Sequence, residues 1–175
     1  WRIASDRLKT RDEYAALLTD LFAQAKLKPK DLSASIMASV VPPLVQVISD
    51  AMKKLGGAAP MVVGPQVDLG LAIRTRAPEE VGADRLVNSV AGYASLGGPL
   101  LIIDFGTATT VDAVGRDGAY LGGAIAPGIG ISLEALVTRT AKLPRIEMAP
   151  PKSPIGDSTI ESMRSGLYYA TLGGI

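Results

Sequence analysis

Cysteine and histidine are both absent from this 175-residue chain. Without cysteine there is no disulfide, no thiol nucleophile and no thiolate metal site, a composition compatible with the cytoplasm. Without histidine, Ser-His-Asp catalysis and histidine-ligated zinc are excluded. Any acid–base chemistry then falls to Asp or Glu. Charge of one sign is also lacking: 18 basic and 17 acidic residues leave a net charge of +1. No basic stripe points to nucleic acid and no polybasic cluster to a membrane surface. The longest apolar runs are far too short to span a bilayer, and no secretory signal pattern is visible. There is no lysine-bearing GxxxxGK[S/T] loop and no GxGxxG run. At 47% hydrophobic and 20% charged residues, the chain reads as soluble and globular, with material for one large or two small domains.

The chain is organised around residues 99–130, PLLIIDFGTATTVDAVGRDGAYLGGAIAPGIG. The apolar run Leu100-Leu101-Ile102-Ile103, bounded by Gly97-Gly98-Pro99, predicts a buried strand that stops at Asp104. Gly106, Thr107, Thr109 and Thr110 follow. The alternating Val111-Asp112-Ala113-Val114 predicts a second strand, and Asp117-Gly118 a hairpin turn into Tyr120-Leu121. Asp104 and the Gly106-Thr107 turn thus fall at a strand end, where ligands of α/β sheets tend to bind. Gly106 lets a backbone approach a ligand, and the hydroxyls of Thr107 and Thr109 add hydrogen bonds. The Asp104 carboxylate can hold a cation beside an anion. A phosphate-plus-metal site and an ordinary hairpin with a tight first turn both fit this spacing. Asp104-Phe105-Gly106 also spells the metal-binding tripeptide of protein kinases, but that family needs a His-Arg-Asp loop that a chain without histidine cannot supply.

Along the chain, residues 1–4 suggest the end of a strand. Thr10 and Glu13 predict a capping box opening a helix over 11–26, with Tyr14, Leu17, Leu18, Leu21 and Phe22 on its core face. A strand is predicted over 35–41. Pro42-Pro43 then open a helix to Lys54 that Gly56-Gly57 stops. Residues 61–63 read as a short strand and 64–77 mostly as loop, where Val67, Leu69, Leu71 and Ile73 alternate. Leu86, Val87, Val90, Ala91 and Ala94 mark a helical face ending at Gly97. A helix over about 129–140 would present free N–H groups at its start, which favours an anion. Residues 142–152 predict a loop with room for one short strand, and Ser158 with Glu161 a second capping box. Strands alternating with helices before a hairpin argue an α/β fold with a mixed sheet.

A second constellation is Gly82-Ala83-Asp84-Arg85 at a predicted helix start. Asp84 can be an N-cap and Arg85 a surface charge. Alternatively, Asp84 takes a proton from a substrate hydroxyl while the Arg85 guanidinium binds a substrate carboxylate. Thr159, just inside another helix start, can meet a ligand or simply solvent.

Together these motifs closely resemble type III pantothenate kinases. The resemblance rests on an ordered series: Pro65-Gln66-Val67-Asp68-Leu69-Gly70-Leu71 with Ile73-Arg74, Glu80 through Asn88, Asp104 through Thr110, Tyr120-Leu121-Gly122-Gly123 with Ile125-Ala126-Pro127-Gly128, and Ala141-Lys142-Leu143-Pro144. It implies an actin-like (ribonuclease H-like) fold of duplicated α/β halves with mixed sheets, divided here as 1–97 and 98–175, usually as a cytoplasmic homodimer. It also implies transfer of the ATP γ-phosphoryl group to the hydroxyl of pantothenate, the first step of coenzyme A biosynthesis, with Mg²⁺ and a monovalent cation, K⁺ or NH₄⁺. By motif position, Asp84 resembles the proton acceptor, and Gly82, Ala83, Asp84 and Arg85 line the pantothenate site. By the same resemblance, Thr159 is implied as a pantothenate contact, Asp104 as the monovalent-cation ligand, and Thr107, with Gly106 and Thr109 beside it, as the ATP contact.

The series departs from the family pattern at position 75, where the family often has a tyrosine touching pantothenate and this chain has Thr75. The family's Asp-x-Gly-Asn-Thr phosphate loop and its C-terminal segment are also not found, so the 175 residues alone are expected to be catalytically poor. Two other readings follow from the same fold: an inactive accessory or transcriptional activating factor, and a kinase for a sugar or acetate. The presence of both Asp84 and Asp104 favours the enzyme, and Gly82 through Arg85 counts against the sugar or acetate acceptor.

Overall fold

The computed structural model describes residues 1–64 and 66–175; Pro65, the first residue of one family motif, lies outside them. The chain separates into two compact units, one of Trp1–Leu71 with Arg76–Ala91 and one of Ala72–Thr75 with Gly92–Ile175. No helix among the described residues is long and apolar enough to cross a membrane.

In the first unit, helix α1 spans Arg11–Gln24 and begins with the expected box: Thr10 caps the Glu13 N–H, and the Glu13 carboxylate returns to the Thr10 N–H at 2.7 Å. It stops short of Lys26, because Lys26 adopts φ 58. The Lys26 N–H then reaches the Ala23 carbonyl and the Leu27 N–H the Phe22 carbonyl, both at 2.9 Å, a Schellman ending made without glycine. Helix α2, Pro42–Gly56, has proline in its first turn and ends on Gly57 at φ 82. Tyr14 and Ala15 of α1 pack on Leu44 and Ala51 of α2, with Val47, Ile48 and Leu55 around them. Burying a residue such as Leu44 stabilises by about 1.5–3 kcal/mol.

The strand predicted over 35–41 shrinks to β1, Ile36–Met37, which pairs parallel with β2, Met61–Val62. Beyond Met37 the backbone turns: the Val41 N–H donates to Ser39 Oγ at 3.1 Å, and Val41 is already the N-cap of α2. Residues 1–4 form no strand either. The Tyr14 hydroxyl organises this region, accepting from the Asp6 N–H and donating to the Asp6 carbonyl, and the Trp1 ring lies 5.2 Å from that of Phe22.

Helix α3, Ala83–Leu96, runs from the first unit into the second, the division falling after Ala91. The second unit is built on an antiparallel sheet in the order β3–β4–β5, with β3 at Leu100–Phe105, β4 at Ala108–Val114 and β5 at Tyr120–Pro127. β3 therefore runs one residue past Asp104, and Gly106-Thr107 is the turn of the first hairpin. In the second hairpin Gly118 has φ 82 and the Asp117 carboxylate accepts from the Ala119 N–H. A parallel bridge joins Ile73 to Tyr120, so the alternating residues of the 64–77 loop do end in a β contact. The molecule is thus α/β, with a parallel pair in one unit and an antiparallel sheet with a parallel edge contact in the other.

Helices α4, Ile129–Arg139, and α5, Thr159–Gly173, complete the second unit. Residues 142–152 hold no strand; Pro144, Pro150 and Pro151 have no N–H for a ladder, and Arg164 instead donates to the Glu147 carbonyl. The second capping box is half formed. Ser158 caps the Glu161 N–H, but the Glu161 carboxylate turns to Arg164 at 2.8 Å and to the Lys152 N–H. Those contacts, Arg164 foremost, hold its pKa below the usual carboxylate range.

Candidate active site

The Gly82–Arg85 constellation belongs to the first unit. Asp84 is the second residue of α3 rather than its N-cap; it is exposed, and its Oδ1 accepts the Arg85 N–H at 2.9 Å. A carboxylate in a first helical turn is favoured by the unpaired N–H groups and the positive end of the helix dipole. Ala83 and Leu86 are buried and anchor the turn. Gly82 leaves room for the carboxylate, since a Cβ there would lie 2.5 Å from Asp84 Oδ1 and 3.5 Å from Val40 Cγ1. Arg85 is not the plain surface charge of the simpler reading. It is half-buried, its Nη2 is shielded from solvent, and its carbonyl accepts the Ser89 hydroxyl at 2.8 Å.

The second constellation lies wholly in the other unit. Asp104, Gly106 and Thr107 are exposed at the β3–β4 turn, which closes through Gly106 N–H to the Ala108 carbonyl at 3.0 Å. A Cβ on Gly106 would stand 4.0 Å from Asp104 Oδ1 and 3.5 Å from the Ala108 carbonyl oxygen. The missing side chain therefore leaves open space beside the carboxylate, not a packing gap. The same turn meets the start of α4, where the Gly128 N–H donates to the Thr107 carbonyl at 3.1 Å. Gly128 is the N-cap of α4 and offers no side-chain cap.

Register sorts the threonines. Thr110 pairs directly with Asp104 and Thr109 with Phe105, and paired residues share a sheet face. Thr110 is therefore on the Asp104 face. Thr109 is on the other, buried, and lines a cavity of about 220 Å³ with Pro127, Ser132 and Leu167. Thr159 opens α5 and lines a groove of about 640 Å³ between α4 and α5, with Leu136, Leu143 and Met163. Thr75 is held beside the β5 edge by its neighbours, the Arg74 N–H reaching the Tyr120 carbonyl and the Tyr120 N–H the Ala72 carbonyl, both at 2.8 Å. Among the described residues its buried hydroxyl has no hydrogen-bond partner.

A pair that sequence reasoning did not single out is Asp112 with Tyr120. Both are buried, and the Tyr120 hydroxyl donates to Asp112 Oδ1 at 2.7 Å. Asp112 shares the Asp104 face, two residues along β4 from Thr110. The sequence carries no direct signal for it, because the apolar Val111 and Ala113 flank Asp112 and the alternation alone assigns the carboxylate to the polar face.

The donor set fits a cation only in part. No group of three or more acidic, histidine or cysteine side chains that could hold a metal occurs among the described residues. A single exposed carboxylate beside a turn suits an ion that takes its other ligands from phosphate oxygens, backbone carbonyls and water. The space over Gly106, next to the Thr107 hydroxyl and the start of α4, suits a phosphate.

The model of the type III pantothenate kinase family matches residues 1–175. Among relatives named type III pantothenate kinase, one from Moorella thermoacetica is 50% identical over 175 residues, covering 100% of this chain and 69% of its own length. One from Exiguobacterium is 49% identical, covering 97% of this chain and 66% of its own, and one from Geobacter sulfurreducens is 47% identical, covering 99% and 68%. The chain thus spans about two thirds of the length of each relative. Similarity of this degree along all 175 residues, both carboxylate turns included, places the chain in the type III pantothenate kinase family.

Proposed function

We propose that the protein transfers the γ-phosphoryl group of ATP to the hydroxyl of pantothenate, opening coenzyme A synthesis. The observation that carries this reading is the family match over the whole chain, which takes in both Gly82–Arg85 and Asp104–Thr110. In this reaction the pantothenate oxygen attacks the γ-phosphorus, the bond from that phosphorus to the β–γ bridging oxygen breaks, and ADP leaves. Asp84 accepts the proton of the attacking hydroxyl and later gives it to solvent. Arg85 binds the pantothenate carboxylate, for which a planar guanidinium is suited, while Gly82, Ala83, Thr159 and Thr75 contribute contacts around the same substrate. Gly106 and Thr107 are the nucleotide contacts, with Thr107 donating its hydroxyl to phosphate; Thr109, expected beside them, is buried on the face away from Asp104 and is set apart from that role.

Asp104 holds the monovalent cation, K⁺ or NH₄⁺, beside the phosphates. Bound Mg²⁺ supplies charge neutralisation on the nucleotide, most of its ligands coming from phosphate and water. Phosphoryl transfer depends on positioning and electrostatics more than on a covalent nucleophile, which a chain without cysteine or histidine can provide. We further propose that the chain holds parts of two actin-like halves, 1–97 and 98–175, and that the enzyme works in the cytoplasm as a homodimer.

The test is Asp84→Asn in the intact enzyme, assayed for phosphopantothenate formation and for nucleotide binding. Loss of turnover with ATP binding retained supports Asp84 as the base. Turnover near the parent rate removes it from that role.

A further inference from the structure

Glycine at position 128 is not required by backbone conformation, because φ −66 and ψ 160 are open to any residue. It is required by space. Gly128 is buried, and a Cβ there would clash with the carbonyl oxygens of both Gly106 and Thr107 and stand 3.0 Å from the Thr107 carbonyl carbon. All three are backbone atoms, which cannot swing aside as a side chain can. The Gly128 N–H meanwhile donates to the Thr107 carbonyl at 3.1 Å. The start of α4 and the β3–β4 turn therefore touch backbone to backbone, at a distance that only glycine permits.

We propose that Gly128 is a positioning residue for nucleotide, fixing the Gly106-Thr107 turn against α4 so that the Thr107 hydroxyl and the neighbouring N–H groups meet the phosphates. This rests on the reading of Thr107 as an ATP contact. Gly128 touches no substrate and acts only through the turn. Any side chain at 128 pushes the turn away from α4 and displaces Thr107. Gly106 makes the contrast: a Cβ there meets only ordinary contacts within the protein, so its open space faces outward.

The experiment compares Gly128→Ala, Gly128→Ser and Thr107→Ala in the intact enzyme, varying ATP and pantothenate separately. Serine restores a side-chain helix cap and alanine does not, so an effect on folding separates the two, whereas displacement of the turn is common to both. The expected result is an ATP KM raised about tenfold or more in both Gly128 variants and in Thr107→Ala, with pantothenate KM unchanged. An unchanged ATP KM in the Gly128 variants, beside a raised one in Thr107→Ala, overturns the inference alone. An unchanged ATP KM in Thr107→Ala overturns the reading of Thr107, and the inference with it. Should the Gly128 variants not fold, amide exchange of the parent enzyme decides. A non-hydrolysable ATP analogue should slow the amides of Gly106, Thr107, Ala108 and Gly128 together, and slowing at 106–108 with Gly128 unaffected overturns the inference.

Discussion

At the scale of single residues, Gly82 shows how a position can matter to chemistry and little to stability. Its φ is not in the left-handed region, and the group nearest a Cβ at this position is the Asp84 carboxylate, which can move. Gly82→Ala should therefore leave the melting temperature nearly unchanged while lowering kcat/KM for pantothenate by about tenfold or more, about 1.4 kcal/mol of transition-state stabilisation. Thermal melts beside steady-state kinetics check both halves. Tyr120 should behave in the opposite way. Removing its hydroxyl with Tyr120→Phe takes a donor from a buried carboxylate, a loss of about 1–3 kcal/mol in denaturant unfolding, with substrate KM values preserved. The sequence made Asp84, Asp104 and Thr107 visible as candidates because each falls at the end of an element where motif and turn chemistry coincide. Asp112 stayed hidden because its burial depends on which way β4 faces, and periodicity gives the alternation without saying which face is covered.

Among elements, the contact between α1 and α2 carries a titratable signature. Asp12 lies between Arg11 at 2.9 Å and Lys54 at 3.1 Å. Hydrogen bonds from the Arg11 side chain first, then from Lys54, hold its pKa down at about 2. A folded value below the unfolded one means that the contribution to stability is complete above the ordinary carboxylate value and disappears as pH falls through about 2. A carboxyl NMR titration should give a midpoint below the ordinary carboxylate value, moved upward more by Arg11→Met than by Lys54→Met. A midpoint at the ordinary value in the parent protein would refute the pairing. Because all three side chains are more than half exposed, Asp12→Asn should barely change the melting temperature at neutral pH. Both ends of α2 and the start of α1 were legible from proline, glycine and a Thr/Glu box. The end of α1 was not, because a lysine takes the left-handed position usually marked by glycine.

For the whole molecule, the ordered motifs identified the family, while the arrangement of the chain into units depends on backbone pairing that no residue pattern announces. Residues 72–75 join the second unit through hydrogen bonds to Tyr120, although their neighbours on both sides belong to the first. The proposed reaction sets a demand at this scale: Asp84 belongs to the first unit and Asp104 to the second, yet proton acceptor and cation must serve one transferring phosphoryl group. Two substrates that react with each other can favour one another's binding, and their affinities are expected to be interdependent. Calorimetry on the intact enzyme should find pantothenate bound more tightly when a non-hydrolysable ATP analogue and Mg²⁺ are present. Linkage requires the analogue to gain by the same factor when pantothenate is present. Asp84→Asn, which keeps the shape of the side chain, should preserve that coupling while removing turnover. Equal affinities with and without the other substrate would refute that coupling and mean that each substrate is received independently of the other.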